Sequence, residues 1–476
     1  MAPTGVVRLR RLLAAGPIAA LIGVGLAVVP VTTVQALEVH KTKAHEVVGP
    51  LDRSQVRQMQ FPASHVALYW TGHPDAKVTV AFSTNNVQFG QAFPVEHDEV
   101  GMQLNNNQTY GAVIPAGNAT FARITSDQPL GRITLLAMAD DGISVEKTPV
   151  PGKQVNADPV VNPRSAWGAD ESLRVKGTNL TWPPVFQTVQ KIAVHHTAGA
   201  NGETGLAAQA TIRKIYYYHT VTLGYGDIGY QFLMDAAGVI YRGRSTSAVK
   251  LDDGNLTGEN TARQSVTAGH ASGHNSGVVG VAVMGNYVST PVPSSADAAL
   301  KDFLFTKTNA HGLHPAEINL YTNPTNGVQD LFENVPGHLE VPNNSTECPG
   351  GVFQTRLRDM RSELAAQMKS TPGAAPDKAA PNPPTTLTTK TARRAVTLTW
   401  TEVTVDSGSG GGTSGVVGYD VYRKSATTGA LTYVASTTGV TYTDNAAARG
   451  LNTYVVKTFD GAANRSLESP VATAQV

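Results

Sequence analysis

Four side chains in this sequence have the donor chemistry of a transition-metal site: the His195-His196 doublet, His338, and Cys348, the only cysteine among 476 residues. A catalytic zinc takes three protein ligands from histidine, cysteine or carboxylate and leaves its fourth position to water. Two imidazoles and one thiolate meet that requirement, and ligation also shields a lone thiol from oxidation. Cys348 follows His338 by ten residues inside the turn-rich stretch VPGHLEVPNNSTECPGG, and the doublet closes the apolar run KIAVHH. Successive strand side chains point to opposite faces, so only one member of the doublet can serve such an ion, and the other is structural. The competing reading of the cysteine is a small buried hydrophobe, and of each histidine a hydrogen-bonded residue near a strand end.

The beginning of the chain bears on that choice. Arg8, Arg10 and Arg11 precede an apolar run broken by Gly16, Pro17, Gly23, Gly25 and Pro30, and small residues follow at Val34 and Ala36. That order is a secretory signal with cleavage after Ala36, and the interruptions argue against a membrane anchor. In an oxidising compartment a single thiol is reactive, paired between molecules or held by metal. The formal charge of +1 becomes −2 once three arginines leave with the signal. No basic footprint for nucleic acid remains, and no second long apolar run predicts membrane insertion after cleavage. Oligomeric state is not legible.

Three units are expected behind the signal (1–36), making the chain multidomain. Residues 37–155 form a β-rich N-terminal domain of unknown role, with HVALYW, KVTVAF, ATFARI and GRITLLAMA as strands of a sandwich or barrel. Residues 160–368 mix the two periodicities, which predicts a central α/β domain, a mixed sheet with flanking helices. Ile212, Ile215, Tyr216 and His219 repeat at helical spacing, as do Phe353, Leu357, Met360 and Leu364. Leu300, Phe303 and Leu304 follow Ser294-x-x-Asp297, which reads as a capping box. KIAVHH, GYQFLM, VIYRGR and VVGVAVMG read as strands, with Asp235-Ala-Ala-Gly238 as a hairpin turn. A Pro-rich linker (369–384) leads to a period-two segment (385–476), a C-terminal β-sandwich that resembles fibronectin type III domains, with Trp400, Tyr419 and Tyr454 as core aromatics.

Five stretches of the central unit carry a second resemblance: RSAWGA (164–169), VHHTA (194–198), DIGYQFLMDAAGVIYRGR (227–244), GHASGHN (269–275) and GHLEV…STECPG (337–350). In this order they resemble the peptidoglycan recognition proteins and zinc-dependent N-acetylmuramoyl-L-alanine amidases. The resemblance implies Zn2+ on His195, His338 and Cys348, with Tyr230 and Thr346 as catalytic residues. It further implies His270 and Asn275 along the substrate groove, and peptidoglycan or muropeptides as the partner. The implied reaction is hydrolysis of the amide between the lactyl group of N-acetylmuramic acid and L-alanine. Family members lacking the cysteine bind wall fragments without cutting them, so a non-catalytic peptidoglycan-binding protein is the alternative and Cys348 favours the enzyme. Three departures stand out: two extra residues between His338 and Cys348, within PNNS; Leu339 where arginine is frequent; and Gln231 where histidine is frequent. The insertion bears on Thr346 more than on the ligands, because a loop absorbs two residues at little closure cost. No carboxylate in these motifs offers itself as general base.

Overall fold

The computed structural model describes residues 35–98, 100–101, 107–148, 161–368, 380–392, 395–404, 416–425, 431–437, 439–445, 447–460 and 465–476. All but the last two residues of the expected signal, and most of the expected linker, lie outside that set.

The N-terminal strands are longer than their apolar runs suggest and pair into one antiparallel sheet. Its order is Gln35–Leu51, Leu130–Thr148, Ser54–Thr71, Ile114–Ser126, Val78–Ser83, Phe93–Pro94, with Gln108–Tyr110 added to Ser54–Thr71. Around Pro62, which has no N–H to give the ladder, the pairing of Ser54–Thr71 shifts register between Gln58 and Ala63. That break lets one chain segment serve two stretches of the sheet.

The central sheet has five strands in the order Lys191–His196, Val278–Val283, Phe232–Met234, Ile240–Arg242, Val161–Asn162. It is mixed: the first two strands pair in parallel, and Phe232–Met234 runs parallel to Val278–Val283 but antiparallel to Ile240–Arg242. Both faces are covered, so the strands read as continuous apolar runs rather than alternating ones. Helix α1 (Gly205–Tyr217) ends in a π-helical turn, Tyr218–Thr222, that carries His219. Helices α2 (Ser294–His311) and α3 (Gly351–Gln367) bury Leu300, Phe303, Leu304, Phe353, Leu357, Met360 and Leu364 with Ile192, Val194, Val279 and Val281 of the sheet. The expected capping box does not form. Pro293 is the N-cap of α2, and Asp297 instead accepts both Arg356 Nε and Nη2 of α3, at 2.8 and 2.9 Å. A bidentate guanidinium outcompetes a backbone N–H of the helix start for that carboxylate.

Beyond α3, a three-stranded and a four-stranded sheet enclose one core in which Trp400, Leu398, Tyr419, Val421 and Tyr454 meet. Both flanking β units contact the central one. Ala67, Tyr110, Val113, Leu136 and Met138 of the N-terminal sheet share a cluster with Ile212, Ile215, Tyr216 and Tyr230. On the other side, Arg465 bridges Asp420 of the sandwich and Glu333 of the central unit, at 2.7 and 2.8 Å. Among the described residues no helix is long and apolar enough to cross a membrane.

Candidate metal centre

His195 stands near the C-terminal end of the apolar strand Lys191–His196, at the level of Ala282 on its parallel neighbour. The chain returns along this strand's free edge much later: Ile192 N donates to Asn334 O (2.9 Å) and Val194 N to Pro336 O (2.8 Å). That pairing delivers His338 beside His195, with ring centroids 4.6 Å apart. Leu339 N donates to Cys348 O at 2.7 Å, closing the intervening loop so that its two ends lie together. The inserted residues lie within this closed loop. Ligand atoms of His195, His338 and Cys348 lie within 4.8 Å of one another, and all three residues are buried.

Hydrogen bonds select the nitrogen that each imidazole presents. His270 Nε2 faces the carbonyl of Val278 at 3.3 Å; a carbonyl only accepts, so that nitrogen carries the proton. His270 Nδ1 is then an acceptor, and His195 Nε2 donates to it at 2.9 Å. The remaining nitrogen of His195, Nδ1, lies 3.6 Å from Cys348 Sγ. Burial first, then the neighbouring His338 and His270, hold His195 well below the ordinary histidine range; burial and His338 hold His270 at about 3. Both rings are thus neutral at physiological pH, as a metal ligand and its supporting base must be. His338 Nε2 pairs with Asn344 Oδ1 at 3.0 Å, which assigns the inward role to Nδ1. Zinc bonds of about 2.0–2.3 Å put tetrahedral ligand atoms about 3.5 Å apart, and the His195–Cys348 pair already has that separation. Two Nδ1 atoms and one sulfur are a donor set that fits zinc.

The other expected residues divide. Tyr230 packs its ring 5.5 Å from that of His195. Its loop is anchored by Asp227, which accepts Arg164 Nη1 (3.0 Å), Arg244 Nη1 (2.8 Å) and the amides of Ile228 and Ser245. Burial alone raises the Asp227 carboxyl, but Arg164, Arg244 and Arg174 outweigh it and hold the group well below the carboxylate range. Thr346 Oγ1 accepts Cys348 N at 2.9 Å, a bond that helps to set the turn presenting the thiol. His270 and Asn275, expected along the substrate groove, support the candidate ligand His195. His270 has no exposed surface and sits behind His195, and Asn275 Oδ1 accepts the amides of His270 and Ala271 in the turn beneath it. Gly280 makes room for this, since a Cβ there would come within 2.5 Å of the His270 ring. Asn344, in the insertion, went unrecognised as a support for His338: besides the local carbonyl of Pro342, its partners are Ser272 N and O, 72 residues away, which PNNS itself does not mark. His196, the second member of the doublet, accepts Tyr287 N through Nδ1, a structural role.

The model for the Amidase_2 family, described as N-acetylmuramoyl-L-alanine amidase, matches residues 185–351. Peptidoglycan-recognition protein SC2 of Drosophila simulans is 30% identical over 165 residues, spanning 35% of this chain and 70% of that protein. The chain belongs to this family. The human N-acetylmuramoyl-L-alanine amidase is 29% identical over 202 residues, 42% of this chain and 28% of the human protein. Among solved structures, Drosophila PGRP-LB aligns at 22% identity and a TM-score of 0.29, covering 42% of this chain and 92% of that one. The family match takes in the whole His195–His338–Cys348 cluster together with Tyr230, His270 and Asn344.

Proposed function

We propose that this chain is a secreted, zinc-dependent N-acetylmuramoyl-L-alanine amidase that hydrolyses the amide joining the lactyl group of N-acetylmuramic acid to L-alanine in peptidoglycan. The observation that carries the reading is the convergence of His195 Nδ1, Cys348 Sγ and His338, with tautomers already set, inside the amidase-matched segment. When bound, zinc supplies a water of lowered pKa and polarises the scissile carbonyl. The chain's own residues do the rest. His195, His338 and Cys348 hold the ion; His270 and Asn344 orient the two rings; Thr346 fixes the turn behind the thiol. Tyr230 is the donor to the oxyanion that develops on the carbonyl, a contact worth about 2.7–4 kcal/mol in other hydrolases. The flanking units, 37–155 and 385–476, are read as separate domains, the latter of fibronectin type III type, attached through the 369–384 linker.

The test is incubation with purified sacculi, with and without a chelator. The expected products are intact glycan strands and stem peptides with free N-terminal alanine, abolished by the chelator and restored by Zn2+. Zinc-loaded protein that pulls down sacculi but releases no peptide would establish the alternative, a non-catalytic recognition protein.

A further inference from the structure

Each of the four residues assigned above to ion and oxyanion is almost closed to solvent: His195 and Cys348 expose nothing, Tyr230 and His338 only 2%. A cross-linked wall polymer cannot bring an amide to a phenol in that state. The N-terminal sheet lies over one side of this centre, through residues around its short strand Gln108–Tyr110. Val100, Tyr110 and Val113 belong to the same buried cluster as Ile228 and Tyr230. Val100 rests on Gly229, where even a Cβ would come within 2.5 Å of its Cγ2, and Tyr225 Oη donates to Val100 O at 3.1 Å. Val113 O approaches Gly199, in the loop that follows the His195-His196 strand, so closely that a Cβ there would lie 2.9 Å from it. The contacts therefore touch the two segments that carry His195 and Tyr230.

A polar latch accompanies this apolar seat. Gly229 N donates to His219 Nδ1 at 3.1 Å, which makes His219 Nε2 the protonated nitrogen; that nitrogen donates to Asp98 Oδ2 at 3.1 Å. Asp98 Oδ1 accepts Gly101 N at 2.7 Å, shaping the same stretch. Both partners of the latch are buried. An ionised acceptor makes this one of the stronger kinds of hydrogen bond, yet both groups regain water if the sheet edge withdraws, so the latch is reversible.

We propose that the N-terminal sheet is an autoinhibitory cap, latched by Asp98 on His219 and seated by Val100 on Gly229, that must lift before a muropeptide reaches Tyr230. The proposal rests on the amidase reading only in taking Tyr230 as the point of substrate entry. Affinity and turnover are then both reduced by the fraction of molecules that are open.

The experiment uses the full zinc-loaded chain, its Asp98→Ala variant and its Val100→Ala variant, with a soluble muropeptide as probe. Zinc content, muropeptide affinity by calorimetry and the initial rate of release of free N-terminal alanine are measured for each. Loss of one charge-assisted hydrogen bond is expected to raise both affinity and low-substrate rate by about tenfold in Asp98→Ala, with zinc retained and a smaller rise in Val100→Ala. Affinity that does not rise at full zinc content would overturn the cap, and if in that case only the rate fell, Asp98 would be a positioning residue instead. Should Asp98→Ala not fold, Val100→Ala decides by the same readouts. If no protein releases stem peptide while the variants still bind more tightly, the amidase reading fails and the cap stands.

Discussion

The two imidazoles of the candidate metal centre owe their orientation to neighbouring side chains. His270 takes the Nε2 proton of His195 and Asn344 engages Nε2 of His338, so each ring turns Nδ1 inward. Supports of this kind typically carry a factor of about 10–100 in metal affinity. Asn344→Ala is therefore expected to weaken zinc binding within that range, measured by competition with a chromophoric chelator, with the melting profile of the zinc-loaded protein barely changed. Tyr230→Phe separates the other function: zinc content stays stoichiometric while kcat falls by about 100-fold or more. Equal turnover in the two proteins would remove Tyr230 from the oxyanion role. At this scale the sequence was legible where chemistry and motif coincide, at His195, His338 and Cys348, whose types alone suggest coordination. It was not legible at His270 and Asn344, because a polar residue in a glycine-rich turn looks the same whether it faces a groove or the back of a histidine 75 residues away.

At the scale of elements, the central unit follows its periodicities closely. All three helices occupy the stretches where apolar residues recur at helical spacing, and the strand runs lie in one mixed sheet. The ends of these elements were less legible. The start of α2 depends on whether Asp297 turns to its own backbone or to Arg356 of α3, a choice made by tertiary contact. The turn that presents His338 is likewise set from a distance: Glu340 accepts Gly337 N at 3.0 Å and both its oxygens accept Arg361 Nη2 of α3 at 2.8 Å. Glu340→Gln leaves Arg361 without that charge in a buried place. Breaking a buried pair in this way costs about 3–5 kcal/mol, so the variant is expected to unfold at markedly lower urea and to bind zinc more weakly.

For the whole molecule, the contacts between units were the least visible from sequence, since each joins residues far apart in the chain. One of them predicts a pH response. His65 of the N-terminal sheet donates from Nε2 to Thr211 of α1 at 2.8 Å, Thr211 being itself a donor to Glu203. Burial first, then Lys214, lowers its pKa from 6.5 to about 3, with Asp140 opposing and Arg213 adding to the effect. The unfolded chain therefore takes up this proton before the folded one does. The stability it contributes is complete above about pH 6.5 and declines as the pH falls toward 3. Between pH 7 and 5.5 the parent should lose about 1 kcal/mol that a His65→Gln variant does not, as read from paired urea titrations. Asp227 and Glu259 act in a lower window. Burial raises each, but arginines around Asp227, and His311 with Lys307 around Glu259, pull them down, Glu259 to about 2. Their contribution is complete above about pH 4.5 and fades as the pH falls below it. Finally, the chain carries one thiol in 476 residues, and that thiol lies in the metal cluster. Loading the His195–His338–Cys348 site with cobalt is thus expected to add a sulfur-to-cobalt band in the near ultraviolet, free of background from any other cysteine.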